Sequence, residues 1–184
     1  MNSVIATALA VIAALFQLSF SEARGDAPQV SRELPPSAFA EVPAPIRREL
    51  ARRGCSIPQP VEERRANVIR GDFHGRGQVD WAALCSRNQS SSILVFRNGS
   101  AAAIEELARR PNQSYVQEVE PGRMGFSRAI RVAAPAFILE HYRWYAGPKP
   151  PALSHSGIED AFIGMASVVW FWHRGRWLQL TGTD

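Results

Sequence analysis

Hydrophobic and polar positions change their period along the chain, and each change predicts an element. Ile46 and Leu50 lie four residues apart between Pro45 and a stopping Gly54, which predicts a short helix from about residue 45 to 53. Beyond it, β-rich runs are separated by turns that contain Gly and Ser. These runs predict a meander of three antiparallel strands at residues 66–71, 79–86 and 92–96.

Helical spacing returns after residue 100. Ser100 is suited to cap a helix whose inner side carries Ile104, Leu107 and Ala108 and which ends before Pro111. Weaker strand patterns follow at residues 115–119 and 126–132. A further helix is predicted from Pro135 through Tyr145, with Gly147 as its stop.

The C-terminus predicts a hairpin, because apolar runs at 167–173 and 176–181 flank Arg174-Gly175. A two-residue turn places Val169, Phe171, Leu178 and Leu180 on one face and Trp170, Trp172 and Trp177 on the other. We favour packing of the tryptophan face under a helix, such as the one from Pro135 to Tyr145. The alternative is an aromatic binding face that stacks on sugar rings or on a protein partner.

The N-terminus predicts export. Residues 4–16 are apolar except for Thr7 and are followed by Ser21-Glu22-Ala23, which indicates a secretory signal cleaved after Ala23. The run is too short for a membrane span, so we expect none after cleavage. Residues 24–44 contain four prolines and predict an extended lead-in. Residues 45–184 then form a single α+β domain, in a periplasmic or secreted protein.

Two cysteines, Cys55 and Cys85, are present in the chain. In an exported protein an even count favours a disulfide, and no C-x-x-C spacing supports a zinc site. Such a bridge would stabilise the fold by about 3 to 4 kcal/mol. It would attach the segment around Cys55 to a strand that carries Cys85.

Length and charge exclude several classes of protein. A chain of 184 residues does not hold a doubly wound cofactor domain, a barrel enzyme or a full propeller. The formal net charge is +4, and Lys149 is the sole lysine among 21 basic residues. The arginine pairs are scattered and most have Glu nearby, so we expect no nucleic-acid partner.

Residues 71–81 read G-D-F-H-G-R-G-Q-V-D-W between two predicted strands. This segment resembles the calcium loop of FG-GAP/VCBS repeats, the units of integrin-type propellers, and the likeness extends from Asn67 to Gly99. The resemblance implies ion-binding positions at Asp72, His74, Arg76, Gln78 and Asp80, with Gly77 at the sharp turn. His74 and Arg76 stand where the family has oxygen ligands, and a guanidinium repels a cation.

We therefore expect no calcium or other cofactor and no metal site. The hypothesis is that Arg76 lies across Asp72 and Asp80 and replaces the ion as an internal cation. Only one good copy of the loop is present, which does not make a propeller.

The chain is also similar, over most of its length after the signal, to small secreted bacterial proteins of no known function. The stretches that carry this likeness are L-C-S-R, S-I-L-V-F, G-P-K-P-P and W-L-Q-L-T-G-T-D. The likeness implies export and supplies no activity.

Two functions follow from these observations. We favour an exported non-catalytic protein that binds a protein or a cell-envelope component. The alternative is a small secreted hydrolase that uses Ser127 or the Asp72/Asp80 loop. Ser127 lies in G-F-S-R-A, half of a nucleophile elbow, and Asp160 and His173 follow it in the order of α/β-hydrolases. The four histidines have no metal-binding spacing.

Overall fold

The computed structural model describes residues 32–63, 65–145 and 147–182. The predicted signal peptide, residues 1–23, lies outside the described residues. In the part of the chain that is described, no helix has the length and hydrophobicity needed to cross a membrane.

The described part begins with a strand, a helix and a second strand. Strand β1 pairs antiparallel with β2, and helix α1 lies between them in sequence; the bounds are β1 Arg32–Leu34, α1 Ala44–Arg52 and β2 Ile57–Gln59. The predicted first helix is therefore confirmed. Phe39 and Val42 are buried, so packed structure begins before Pro45, where the proline content predicted an extended lead-in.

The first large sheet contains the predicted meander and one strand more. Its four antiparallel strands lie in the order β3-β4-β5-β6. Their bounds are β3 Val68–Gly71, β4 Asp80–Arg87, β5 Ser90–Phe96 and β6 Ile104–Pro111.

The helix predicted after Ser100 is wrong, because those residues form β6. Ile104 pairs with Phe96 and Leu107 with Ile93, and these two pairs lie in different hydrophobic clusters on opposite faces of the sheet. Both faces are covered, so apolar residues three apart on this strand each pack against a cluster, Leu107 buried and Ile104 partly buried. A β-bulge opposite Ser91/Ile93, with Ala108 at a φ of 52°, disturbs the alternation further.

The C-terminal half forms a hairpin, a helix and the second large sheet. The predicted strand at 126–132 is divided between two strands, and residues 157–162 add a strand that the sequence pattern did not predict. The second sheet has the antiparallel order β12-β11-β10-β9. The bounds are β7 Val116–Glu120, β8 Arg123–Phe126, β9 Arg128–Ala133, α2 Pro135–Tyr145, β10 Gly157–Phe162, β11 Ala166–His173 and β12 Arg176–Thr181. Both the predicted second helix and the C-terminal hairpin are confirmed.

Three hydrophobic clusters show how these elements are layered. The first joins α1, through Ile46 and Leu50, to one face of the first sheet. The second joins the other face of that sheet to Ile130 and Ile158 of the second sheet. The third joins the far face of the second sheet to Ile138 of α2. The layers are therefore α1, first sheet, second sheet and α2.

Over the described residues the fold is mixed α and β with β predominant: antiparallel sheets and two α-helices in a single domain, without a closed barrel. The predicted α+β class is confirmed at this level. The disulfide is also confirmed, with the Cα atoms of Cys55 and Cys85 5.0 Å apart. It joins the segment after α1 to β4, and a backbone bridge between Ser56 and Ser86 lies next to it.

Candidate functional site

The loop at residues 71–81 is organised around His74 rather than Arg76. His74 Nδ1 lies 3.0 Å from Asp80 Oδ2, and His74 Nε2 lies 2.7 Å from Glu105 Oε2. Arg76 is exposed and forms no ion pair with Asp72 or Asp80, all three being described residues. The hypothesis of an internal arginine is wrong, and the group that lies between the carboxylates is the His74 imidazole.

Asp80 is fully buried and receives several hydrogen bonds. Its Oδ2 accepts from the His74 backbone N–H as well as facing the ring, and its Oδ1 accepts from Gln78 Nε2 and from the Asn98 backbone N–H. Asp72 is bound elsewhere, because its Oδ1 accepts from the Ser156 backbone N–H at 2.9 Å. The two aspartates that the loop motif predicted as ion ligands thus serve separate structural contacts.

His74, Asp80 and Glu105 form a cluster in which hydrogen bonds favour the charged forms of His74 and Asp80. Burial opposes a charged imidazole, but the hydrogen bonds to Asp80 and Glu105 outweigh burial and raise the pKa of His74 above its usual value. Burial likewise opposes ionised Asp80, yet hydrogen bonds from His74, Gln78 and the backbone lower its pKa to about 2. Because a carboxylate oxygen faces each ring nitrogen, the protonated imidazole is favoured, and both nitrogens are engaged in hydrogen bonds rather than free to act as a general base.

The tryptophan face lies between the two large sheets and not under α2. Trp172 and Trp177 contact the His74 ring edge to face, with ring centroids 4.8 and 5.3 Å away. Trp177 Nε1 donates to the same Glu105 oxygen that faces His74. Trp170 packs against the cluster between the sheets, and its Nε1 has no hydrogen-bond partner within the described part of the chain. The opposite face of the hairpin, with Val169 and Phe171, packs on α2.

The predicted hydrolase residues are dispersed among other contacts. Ser127 is buried and its Oγ donates to Glu62 at 2.9 Å, while Asp160 forms a bidentate ion pair with Arg128. No hydrogen bond between described residues joins Ser127, Asp160 and His173. The residues that the sequence grouped as a triad are therefore not assembled as one.

Arg128 forms a second polar cluster between the sheets that the sequence analysis missed. Its fully buried guanidinium donates to Asp160, to the Ser91 carbonyl and hydroxyl oxygens, and to the Ala108 carbonyl oxygen. Tyr115 covers it, with the ring centroid 4.5 Å from the guanidinium carbon. The Ala108 carbonyl, at the β-bulge, points inward and accepts one of these hydrogen bonds. Each nitrogen of the guanidinium therefore has an acceptor.

A pocket lies beside α2, and the sequence did not predict it. One face of α2 and the adjacent strands enclose a cavity of about 240 Å³, which we call the α2 pocket. It is lined by Phe137, Glu140, His141, Trp144, Tyr145, Glu159 and Ser167. The helical members recur at positions i, i+3, i+4, i+7 and i+8. That spacing was visible in the sequence, where it supported only the prediction of a helix.

The α2 pocket is lined by one buried polar atom without a partner in the described residues, His141 Nε2. His141 is 4% exposed, its Nε2 has no hydrogen-bond partner in the described residues, and burial lowers its pKa. Trp144 is 74% exposed.

Gly157 allows the helix to approach, because a Cβ there would lie 2.4 Å from the Trp170 carbonyl oxygen and 3.2 Å from Ile138 Cδ1.

A second, apolar cavity of about 510 Å³ lies between α2 and the proline-rich segment at residues 149–153. Ile138 and Leu139 line it from the helix, and Pro150 and Leu153 line it from the segment. Both cavities described here therefore adjoin α2.

No group of three or more His, Cys, Asp or Glu side chains in the described ranges is arranged to hold a metal ion. Comparison of the chain with family models, with curated proteins and with solved structures finds no match. The likeness of the 71–81 loop to FG-GAP/VCBS repeats stays a prediction.

Proposed function

We propose that this protein is an exported, non-catalytic binding protein that engages a protein or a cell-envelope component through the α2 pocket. The predicted signal peptide and the Cys55–Cys85 disulfide support a periplasmic or secreted location. The contact surface is the α2 pocket, because the hairpin tryptophans, the binding face considered from the sequence, pack between the sheets.

The distribution of ionisable groups supports binding rather than catalysis. His74 has a carboxylate on each ring nitrogen, and Arg128 uses its guanidinium donors on fixed partners. Ser127 faces a glutamate instead of a histidine. A nucleophile and a base within hydrogen-bond reach would be expected in a hydrolase.

The observation that carries the proposal is the exposure of Trp144 beside a concave pocket. Trp144 has 74% of its surface exposed, and keeping so much apolar surface in water costs free energy. It lies beside the partly buried Phe137 and Tyr145 in the pocket lining. Exposed aromatic side chains of this kind are enriched where proteins bind partners.

Site-specific photo-crosslinking in the producing cells tests this function. A benzoylphenylalanine placed at position 144 should give a discrete adduct after irradiation. The matched control carries the same group at Met124, which is 52% exposed on strand β8 and away from α2. Adducts of equal yield and pattern at both positions, or none at position 144, would show that the α2 pocket is not a contact surface.

A further inference from the structure

The walls of the α2 pocket are aromatic. Phe137, His141 and Tyr145 form a row along the helix, with ring centroids 6.2 Å apart for the first pair and 4.7 Å for the second. Trp144 extends the row into solvent. The faces of such rings carry partial negative charge and attract cations.

Two carboxylates complete the lining. Glu140 belongs to the helix, whereas Glu159 comes from β10, and the Glu159 side chain is only 15% exposed. The cation nearest to Glu159 is Arg131, whose Nη1 is 3.8 Å away; the same guanidinium is already paired with Glu63. The lining itself contains no Lys or Arg side chain.

His141 does not supply a positive charge at neutral pH, because burial lowers its pKa. The pocket therefore combines aromatic faces, two carboxylates and a neutral imidazole whose Nε2 lacks a partner among the described residues. This combination disfavours an anion and suits a cation of low hydration that carries apolar surface.

We infer that the α2 pocket binds an alkylammonium group, either free or presented by a larger ligand. A volume of about 240 Å³ accommodates such a group with a short carbon chain. The inference rests on the proposed function, since it names the chemistry that the same pocket recognises. The aromatic row contacts the methyl or methylene groups, and Glu159 and Glu140 balance the charge.

Isothermal titration with three small probes tests the inference at constant ionic strength. The probes are choline, n-butylammonium and 3,3-dimethylbutan-1-ol, the neutral carbon analogue of choline. At least one of the two cations should bind about tenfold more tightly than the neutral alcohol. An affinity for both cations no higher than that for the alcohol, or binding of none of the three, would overturn the inference.

Variants locate the binding. Glu159→Gln and Trp144→Ala should each weaken binding of the cation about fivefold or more. Glu106→Gln, which removes an exposed carboxylate on β6 in the other sheet, is the matched control and should leave affinity unchanged. Circular dichroism checks that each variant folds. If folded Glu159→Gln and Trp144→Ala both retain the parental affinity, the pocket is not the site.

The photo-crosslink separates this inference from the proposed function. Whichever cation binds should, in excess, reduce the adduct at position 144, because it occupies the pocket and the benzoylphenylalanine keeps an aromatic ring in the lining. An adduct that forms but is unaffected by choline and by n-butylammonium leaves the binding function standing and overturns the ammonium chemistry. Absence of the adduct, with choline still binding the purified protein, overturns the partner function alone.

Discussion

The second sheet has two covered faces, and the ionisable side chains buried at these faces differ in whether they have hydrogen-bond partners. Toward the first sheet, Arg128 and His74 are buried with their donors fully partnered. Toward α2, His141 is also buried, yet its Nε2 has no partner in residues 32–63, 65–145 and 147–182, and Trp144 is exposed to solvent. Trp170 Nε1, which faces the first sheet, also lacks a partner in the described residues, so the contrast concerns the ionisable groups alone. Because unpaired buried polar groups cost stability, the paired groups between the sheets stabilise the fold, whereas His141 beside the α2 pocket does not.

The largest effect expected from this comparison is at Arg128. Replacing it by leucine leaves Asp160 buried without its counter-ion, and the free energy of unfolding should fall by about 3 to 5 kcal/mol. Urea denaturation measures the change. Arg131→Leu, at a half-exposed ion pair, is the control and should cost less than about 1 kcal/mol. A similar small loss for both variants would mean that the Arg128 cluster does not hold the sheets together.

The next effect is a pH dependence that originates at His74. A folded-state pKa above the unfolded value gives stability that is complete below the unfolded pKa, about 6.5, and is lost as pH rises through the folded pKa. The lowered pKa of Asp80 gives stability that is present above about pH 4 and is lost as pH falls toward about 2. The pair should therefore stabilise the protein most between about pH 4 and 6.5.

Urea denaturation across this range, on the parent and on His74→Gln, checks the pH dependence. The variant should be less stable by about 2 kcal/mol near pH 6 and should lose the decline above that pH. A parallel decline in both proteins would assign the pH dependence to other groups.

A smaller effect separates two tryptophans. Trp177→Phe removes the hydrogen bond to Glu105 and should lower the free energy of unfolding by about 1 to 2 kcal/mol. Trp144→Phe should change it by less than about 0.5 kcal/mol, because the side chain is exposed. Thermal unfolding of the two variants compares them directly. Equal losses would place Trp144 in the core and remove the distinction between the two faces.

The smallest expected effect is that of calcium. The oxygens of Asp80 are occupied by His74, Gln78 and Asn98, and Asp72 binds Ser156, so the loop has no free carboxylate pair for an ion. The melting temperature should be the same with calcium and with EDTA. A rise of several degrees with calcium would show that the loop rearranges into the family's ion site.

Local patterns in the sequence predicted those parts of the fold that local forces determine. Helix α1, helix α2 and the C-terminal hairpin follow from Pro and Gly punctuation and from apolar spacing, and the cysteine count predicted the disulfide. Strand β6 could not be recognised from spacing, because burial of both sheet faces removes the alternation that identifies a strand.

The candidate site was less predictable because its partners are distant in sequence. Glu105, which places the His74 ring rather than Arg76 between the carboxylates, lies 31 residues from His74. Glu159 and Ser167 reach the α2 pocket only through the pairing of β10 with β11. The aromatic spacing of Phe137, His141 and Tyr145 was visible, but periodicity alone does not separate a core face from a pocket wall.

The disulfide also determines how the molecule carries tension. Cys55 and Cys85 are 30 residues apart, and Cys85 lies on β4, between β3 and β5 in the first sheet. When the two ends of the chain are pulled apart, the force passes through the sulfur bridge and bypasses residues 56–84. That segment contains the loop around His74, so the backbone of the loop bears no direct tension while residues outside 56–84 unfold. Reduction of the bridge would return the whole segment to the load path.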